Sequence, residues 1–72
     1  MIDKELAHLI KMANQIAINL DYGDASELSA DRVADHIVRF WATSMKHKIL
    51  NYAKCDGSEL HEITKTAVLK LS

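Results

Sequence analysis

The chain contains no proline, and its only glycines are Gly23 and Gly57. Proline and glycine punctuate loops and strand corners, so a chain nearly free of them is expected to run as helices joined by a few short turns. The apolar residues follow that period. Leu6, Leu9, Ile10, Ala13, Ile16, Ala17 and Leu20 fall on one arc of a helical wheel, with Lys4, His8, Lys11 and Gln15 elsewhere. Asp3 is placed to cap this helix, and Gly23 to stop the chain just beyond it. A second helix follows capping candidates Asp24, Ser26 and Ser29. Ala30, Val33, Ala34, Ile37, Val38, Phe40 and Trp41 share its apolar face, opposite Arg32, Asp35 and Arg39. Asp35 and Arg39 stand at i, i+4, a weakly stabilising pair.

Thr43 or Ser44 is expected to end the second helix and cap a short third one, whose apolar side is Met45, Ile49, Tyr52 and Ala53. Lys46, His47 and Lys48 crowd its first turn against the helix macrodipole, which calls for either an acidic partner surface or a solvated face. Asp56-Gly57-Ser58 reads as a turn, with Ser58 capping a fourth helix striped by Leu60, Ile63, Ala67 and Leu71. Val68 sits at the edge of that stripe and Leu69 off it. No stretch alternates with period two for long enough to make a strand. The fold expected is therefore all-α, a compact bundle of four helices with the third one short, forming a single domain over residues 1–72.

Size and charge narrow what such a bundle does. At 72 residues, folding buries only about 60% of the unfolded chain's surface, which leaves little core from which to carve a catalytic cleft. A chain like this is expected to work as part of an enzyme and not as one. Nine basic against ten acidic side chains give a net charge of −1, far from the basic balance that phosphate binding requires. No nucleic-acid partner is expected, and a helix-turn-helix reading with Lys46–Lys54 as the recognition helix is the weakest one. The lone Cys55 has no partner for an internal disulfide. Met1 to Glu5 lacks the charged-then-apolar pattern of a signal peptide, and no apolar run approaches the ~20 residues needed to span a bilayer. A cytoplasmic location with no membrane contact is expected.

The reactive residue types do not assemble into a motif. His8, His36, His47 and His61 include no pair at i, i+3 or i, i+4, and Cys55 has no neighbouring ligand pair of the zinc-site type. Scattered surface histidines, and a small residue at a helix end, are the expected readings. Asp31/Asp35 and Glu59/Glu62 lie on polar faces and read as solvation. Asp21-Tyr22-Gly23-Asp24 lacks the acidic spacing of a calcium loop, and no glycine-rich phosphate loop is present. What remains is apolar or amide. Phe40 and Trp41 are adjacent, and successive helical residues diverge by about 100°. Either both anchor a wide core or one faces a partner. Met12 and Ile18 stand off the first helix's main stripe. Asn14 costs a little helix propensity unless it binds something, either another helix end within the fold or a partner; His36, at the edge of its apolar arc, poses the same choice.

Taken in order, these residues carry a resemblance. Met12-Ala13-Asn14-Gln15-Ile16-Ala17, a short loop, Val33-Ala34 with His36-Ile37 and Phe40-Trp41, a basic segment around Met45, the Gly57 turn and a last apolar helix resemble the small delta subunit of NAD-dependent, molybdenum- or tungsten-containing formate dehydrogenases. The likeness runs from about Leu9 to Leu71. It implies a non-catalytic accessory protein that binds the catalytic alpha subunit and supports its assembly, stability or cofactor loading. The bis-pterin cofactor, iron–sulfur clusters and FMN would then sit on partner subunits, with none bound by this chain. The resemblance nominates Met12, Asn14, Gln15, His36, Phe40, Trp41 and Met45 as partner-contact residues. Where the family carries a proline and an arginine after the aromatic pair, this chain has Thr43 and Ser44, and its basic character moves to Lys46 and Lys48. The alternative is a self-associating helical module unrelated to formate metabolism, with Ile18 and Leu69 on a homodimer surface.

Overall fold

A computed structural model describes residues 2–71. It contains α1 (Lys4–Leu20), α2 (Ser26–Phe40), α3 (Thr43–Cys55) and α4 (Glu62–Leu69), and among the described residues no strand. The all-α expectation therefore stands, as a globule measuring 33 × 23 × 19 Å. α2 packs between α1 and α4, and α3 closes the other side against α4 and α1.

The short helix is not the third. α3 has 13 residues and α4 only 8. The chain spends residues 58–61 on a turn that Ser58 was expected to open as a helix. The Ser58 hydroxyl instead donates to the Asp56 carboxylate at 3.0 Å. Leu60 N–H donates to the Gly57 carbonyl at 3.1 Å, and Glu59 N–H donates to the Tyr52 hydroxyl at 2.9 Å. With those amides committed, α4 starts only after His61, which caps it without a side-chain bond. Gly57 takes φ +68°, a left-handed conformation that glycine adopts at little cost.

The other helix ends divide similarly. Asp3 caps α1 as expected, its carboxylate accepting from Leu6 N–H at 2.7 Å. None of Asp24, Ser26 and Ser29 caps α2; the cap is Ala25, with no side-chain bond. Asp24 is instead held by the Arg32 guanidinium, and Ser29 is buried with its hydroxyl 3.3 Å from the same carboxylate. The α3 cap is Ala42, and Thr43 is the first helical residue.

The basic first turn of α3 has internal partners. Lys48 reaches Asp3 at 2.9 Å and Glu5 at 2.6 Å, across to the start of α1. Lys46 donates to the Val38 carbonyl at 3.3 Å, near the electronegative end of α2. The Asp35–Arg39 pair forms at 3.1 Å. Asp31, expected merely to be solvated, lies 3.2 Å from Lys70, which also binds Glu27. In the core, Ile37, Ile49, Val33 and Val68 are fully buried. Val68, expected at the edge of the last stripe, is thus central to the inner face of α4 with Thr64 and Ala67, while Ile63 and Leu71 pack partly buried against the core.

Candidate docking groove

The first helix reaches this site through Ile16 at the edge of its main stripe and through Met12 and Gln15 beside it. Met12, Gln15 and Ile16 form one flank of a surface groove, and His36 and Phe40 from α2, Trp41 just after it, and Met45 of α3 form the rest. The depression measures about 410 Å³, and no lysine, arginine or carboxylate lines it.

The Phe40/Trp41 question is settled by where α2 stops. Phe40 is its last residue, and Trp41 already has extended backbone (φ −92°, ψ 142°) while its N–H still donates to the Ile37 carbonyl. That break swings the indole inward, leaving Trp41 6% exposed, whereas Phe40 stays 72% exposed. Only Trp41 is a core anchor. Val38, assigned to the same apolar face, is exposed as well. The His36 imidazole packs against the Phe40 ring, centroids 4.8 Å apart and tilted by 46°, so the exposed phenyl is braced by a neighbour one helical turn back.

The groove thus gathers six of the residues nominated from the sequence: Met12, Gln15, His36, Phe40, Trp41 and Met45. Asn14 lies elsewhere. Its amide nitrogen donates to the Glu59 carbonyl and its amide oxygen accepts from His61 N–H, both at 2.9 Å. It clips the chain entering α4 onto α1, which is the internal role open to it from the sequence. Ile16 is a lining residue that the sequence reading placed only in the core; its spacing four residues after Met12 was the available signal. The Gln15 amide donates to Asn19 at 3.3 Å. Ile18 and Leu69 are both exposed, on α1 and α4, and Ile18 belongs to a separate depression with Ile63.

Beyond the groove, the α1–α2 corner is held by charge. Arg32 bonds Asp24 and the Leu20 carbonyl, and its guanidinium lies 4.5 Å from the Tyr22 ring centroid. That hydrogen bond keeps the Asp24 carboxyl below the ordinary carboxylate range. The Asp3 carboxyl is lowered too, first by the Leu6 N–H and then by Lys48. Among the described residues no three His, Cys, Asp or Glu side chains come together to hold a metal ion. Iron–sulfur clusters need several thiolates, and the single, exposed Cys55 does not fit that requirement. No described helix is long and apolar enough to cross a membrane.

These features define a small all-helical protein with an exposed apolar groove on one face. The family model for the NADH-dependent formate dehydrogenase delta subunit, FdsD, matches residues 8–68, and the chain belongs to that family. It is therefore a subunit of a formate dehydrogenase complex, and the other subunits of that complex are its partners. No curated protein and no solved structure matches the chain.

Proposed function

We propose that this chain is a non-catalytic accessory subunit that binds the catalytic alpha subunit of NAD-dependent formate dehydrogenase through the Met12–Phe40–Met45 groove. Bound there, it supports the assembly of the alpha subunit, its stability or the loading of its molybdenum cofactor. The observation that carries this reading is Phe40: a phenyl ring 72% exposed at the mouth of an apolar groove. Such a ring gains free energy when a partner covers it, about 25 cal/mol per Å² of apolar surface removed from water, and aromatic anchors dominate many interfaces. On this reading the chain is one domain that works in the cytoplasm. The bis-pterin cofactor, iron–sulfur clusters and FMN reside on the larger subunits.

Co-expression of the tagged chain with the alpha subunit, followed by native affinity purification, tests it. The alpha subunit is expected to co-purify, and Phe40→Glu to release it while the helical circular dichroism is unchanged. Deleting the chain is expected to lower formate dehydrogenase activity or its molybdenum content. Absence of co-purification, with activity and molybdenum unchanged on deletion, refutes the reading.

A further inference from the structure

From His36 to Cys55 the chain carries Arg39, Lys46, Lys48 and Lys54 and not one carboxylate, in a protein whose net charge is −1. The fold neutralises two of these cations, Arg39 with Asp35 and Lys48 with Asp3 and Glu5. Lys46 has no carboxylate partner among the described residues; its ammonium rests on the Val38 carbonyl at 3.3 Å. His47, Leu50 and Lys54 follow it at helical spacing along the flank of α3 away from Met45.

This flank is also concave and apolar. Val38, Thr43, Lys46, His47, Leu50 and Leu71 line a second depression of about 220 Å³. The last turn of α2 therefore projects Phe40 into the groove on one side and Val38, 53% exposed, into this depression on the other. We infer that the docking surface continues across the α2–α3 corner, and that the face of the catalytic subunit it fits is apolar with a carboxylate set against Lys46. An apolar cover without that carboxylate would strip water from an unpaired ammonium, which costs free energy; a carboxylate turns the same burial into an attraction and steers the encounter.

The inference rests on the docking reading above, and its test separates the two. The tagged chain is titrated against formate dehydrogenase purified from cells lacking this chain, with binding kinetics followed across a salt series. Lys46→Glu is expected to slow association about tenfold and to flatten its salt dependence, and Lys46→Arg to retain both. Val38→Asp is expected to speed dissociation about tenfold. Wild-type kinetics in both Lys46→Glu and Val38→Asp, with Phe40→Glu still releasing the enzyme, confine docking to the groove and overturn the inference alone. Absence of any wild-type binding removes the docking reading and the inference together. A dimer of the isolated chain by light scattering that Val38→Asp abolishes, with enzyme capture unaffected, assigns this flank to a second copy and overturns the inference.

Discussion

Replacing Asn14 by alanine separates a residue that organises the fold from those that meet a partner. The side chain makes two hydrogen bonds of 2.9 Å, one to each side of the turn that leads into α4. Each contributes about 1 kcal/mol net, so their loss costs about 2 kcal/mol. Alanine recovers roughly 0.6 kcal/mol of helix propensity within α1. Because these backbone groups lie near the surface, water takes over part of what the amide provided, and the net destabilisation is about 1–1.5 kcal/mol. For a domain of this size each kcal/mol moves Tm by roughly 4–8 °C, so the variant is expected to melt about 4–12 °C lower. Thermal denaturation followed by circular dichroism measures it, and amide exchange at His61 is expected to quicken at the same time. Asn14→Asp is expected to be worse than a single lost bond, because it keeps the acceptor for His61 N–H but turns a carboxylate toward the Glu59 carbonyl. A melting temperature within about 1 °C of wild type for Asn14→Ala, combined with loss of formate dehydrogenase binding, would refute this account and return Asn14 to the interface.

The aromatic pair should show the opposite division: Trp41→Ala, in the core, is expected to cost about 3–5 kcal/mol, and Phe40→Ala to leave the urea midpoint nearly unchanged while weakening capture of the enzyme. The two glycines differ in kind. A Cβ at Gly23 meets nothing within 4 Å and pays only for φ +83°, about 1 kcal/mol, whereas at Gly57 it also meets the Ala53 carbonyl at 3.1 Å. Gly57→Ala is therefore expected to be the more destabilising of the two by chemical denaturation. The lowered Asp3 and Asp24 carboxyls bind protons more readily in the unfolded chain than in the folded one. Their stabilisation is present above about pH 4 and is lost as pH falls through their folded values; Asp24→Asn is expected to flatten the acid limb of the stability curve. Lys48 and Lys70, raised by their paired carboxylates, act in the reverse sense. Their stabilisation is fully present below the ordinary lysine pKa of about 10.4 and is lost as pH rises through their raised folded values.

The features that could be read from the sequence are those with a local cause. Missing proline, two glycines at the breaks and a 3.6-residue apolar period are properties of neighbouring residues, so four helices, the Asp3 cap and the Asp35–Arg39 pair were legible without a fold. The ordered segments from Met12 to Trp41 and the Gly57 turn were equally sufficient for the family. Where α4 begins was not legible. Ser58 is a good cap by composition, but Asn14, distant in sequence, and Tyr52 on the preceding helix claim the amides of His61 and Glu59 and delay the helix. The choice between Phe40 and Trp41 depends on the turn at the end of α2, and the groove depends on three helices meeting at a particular angle. Periodicity tells each helix which face is apolar. How far around that face its neighbours reach is decided only when the helices pack, because coverage is a property of pairs of surfaces and not of one chain segment.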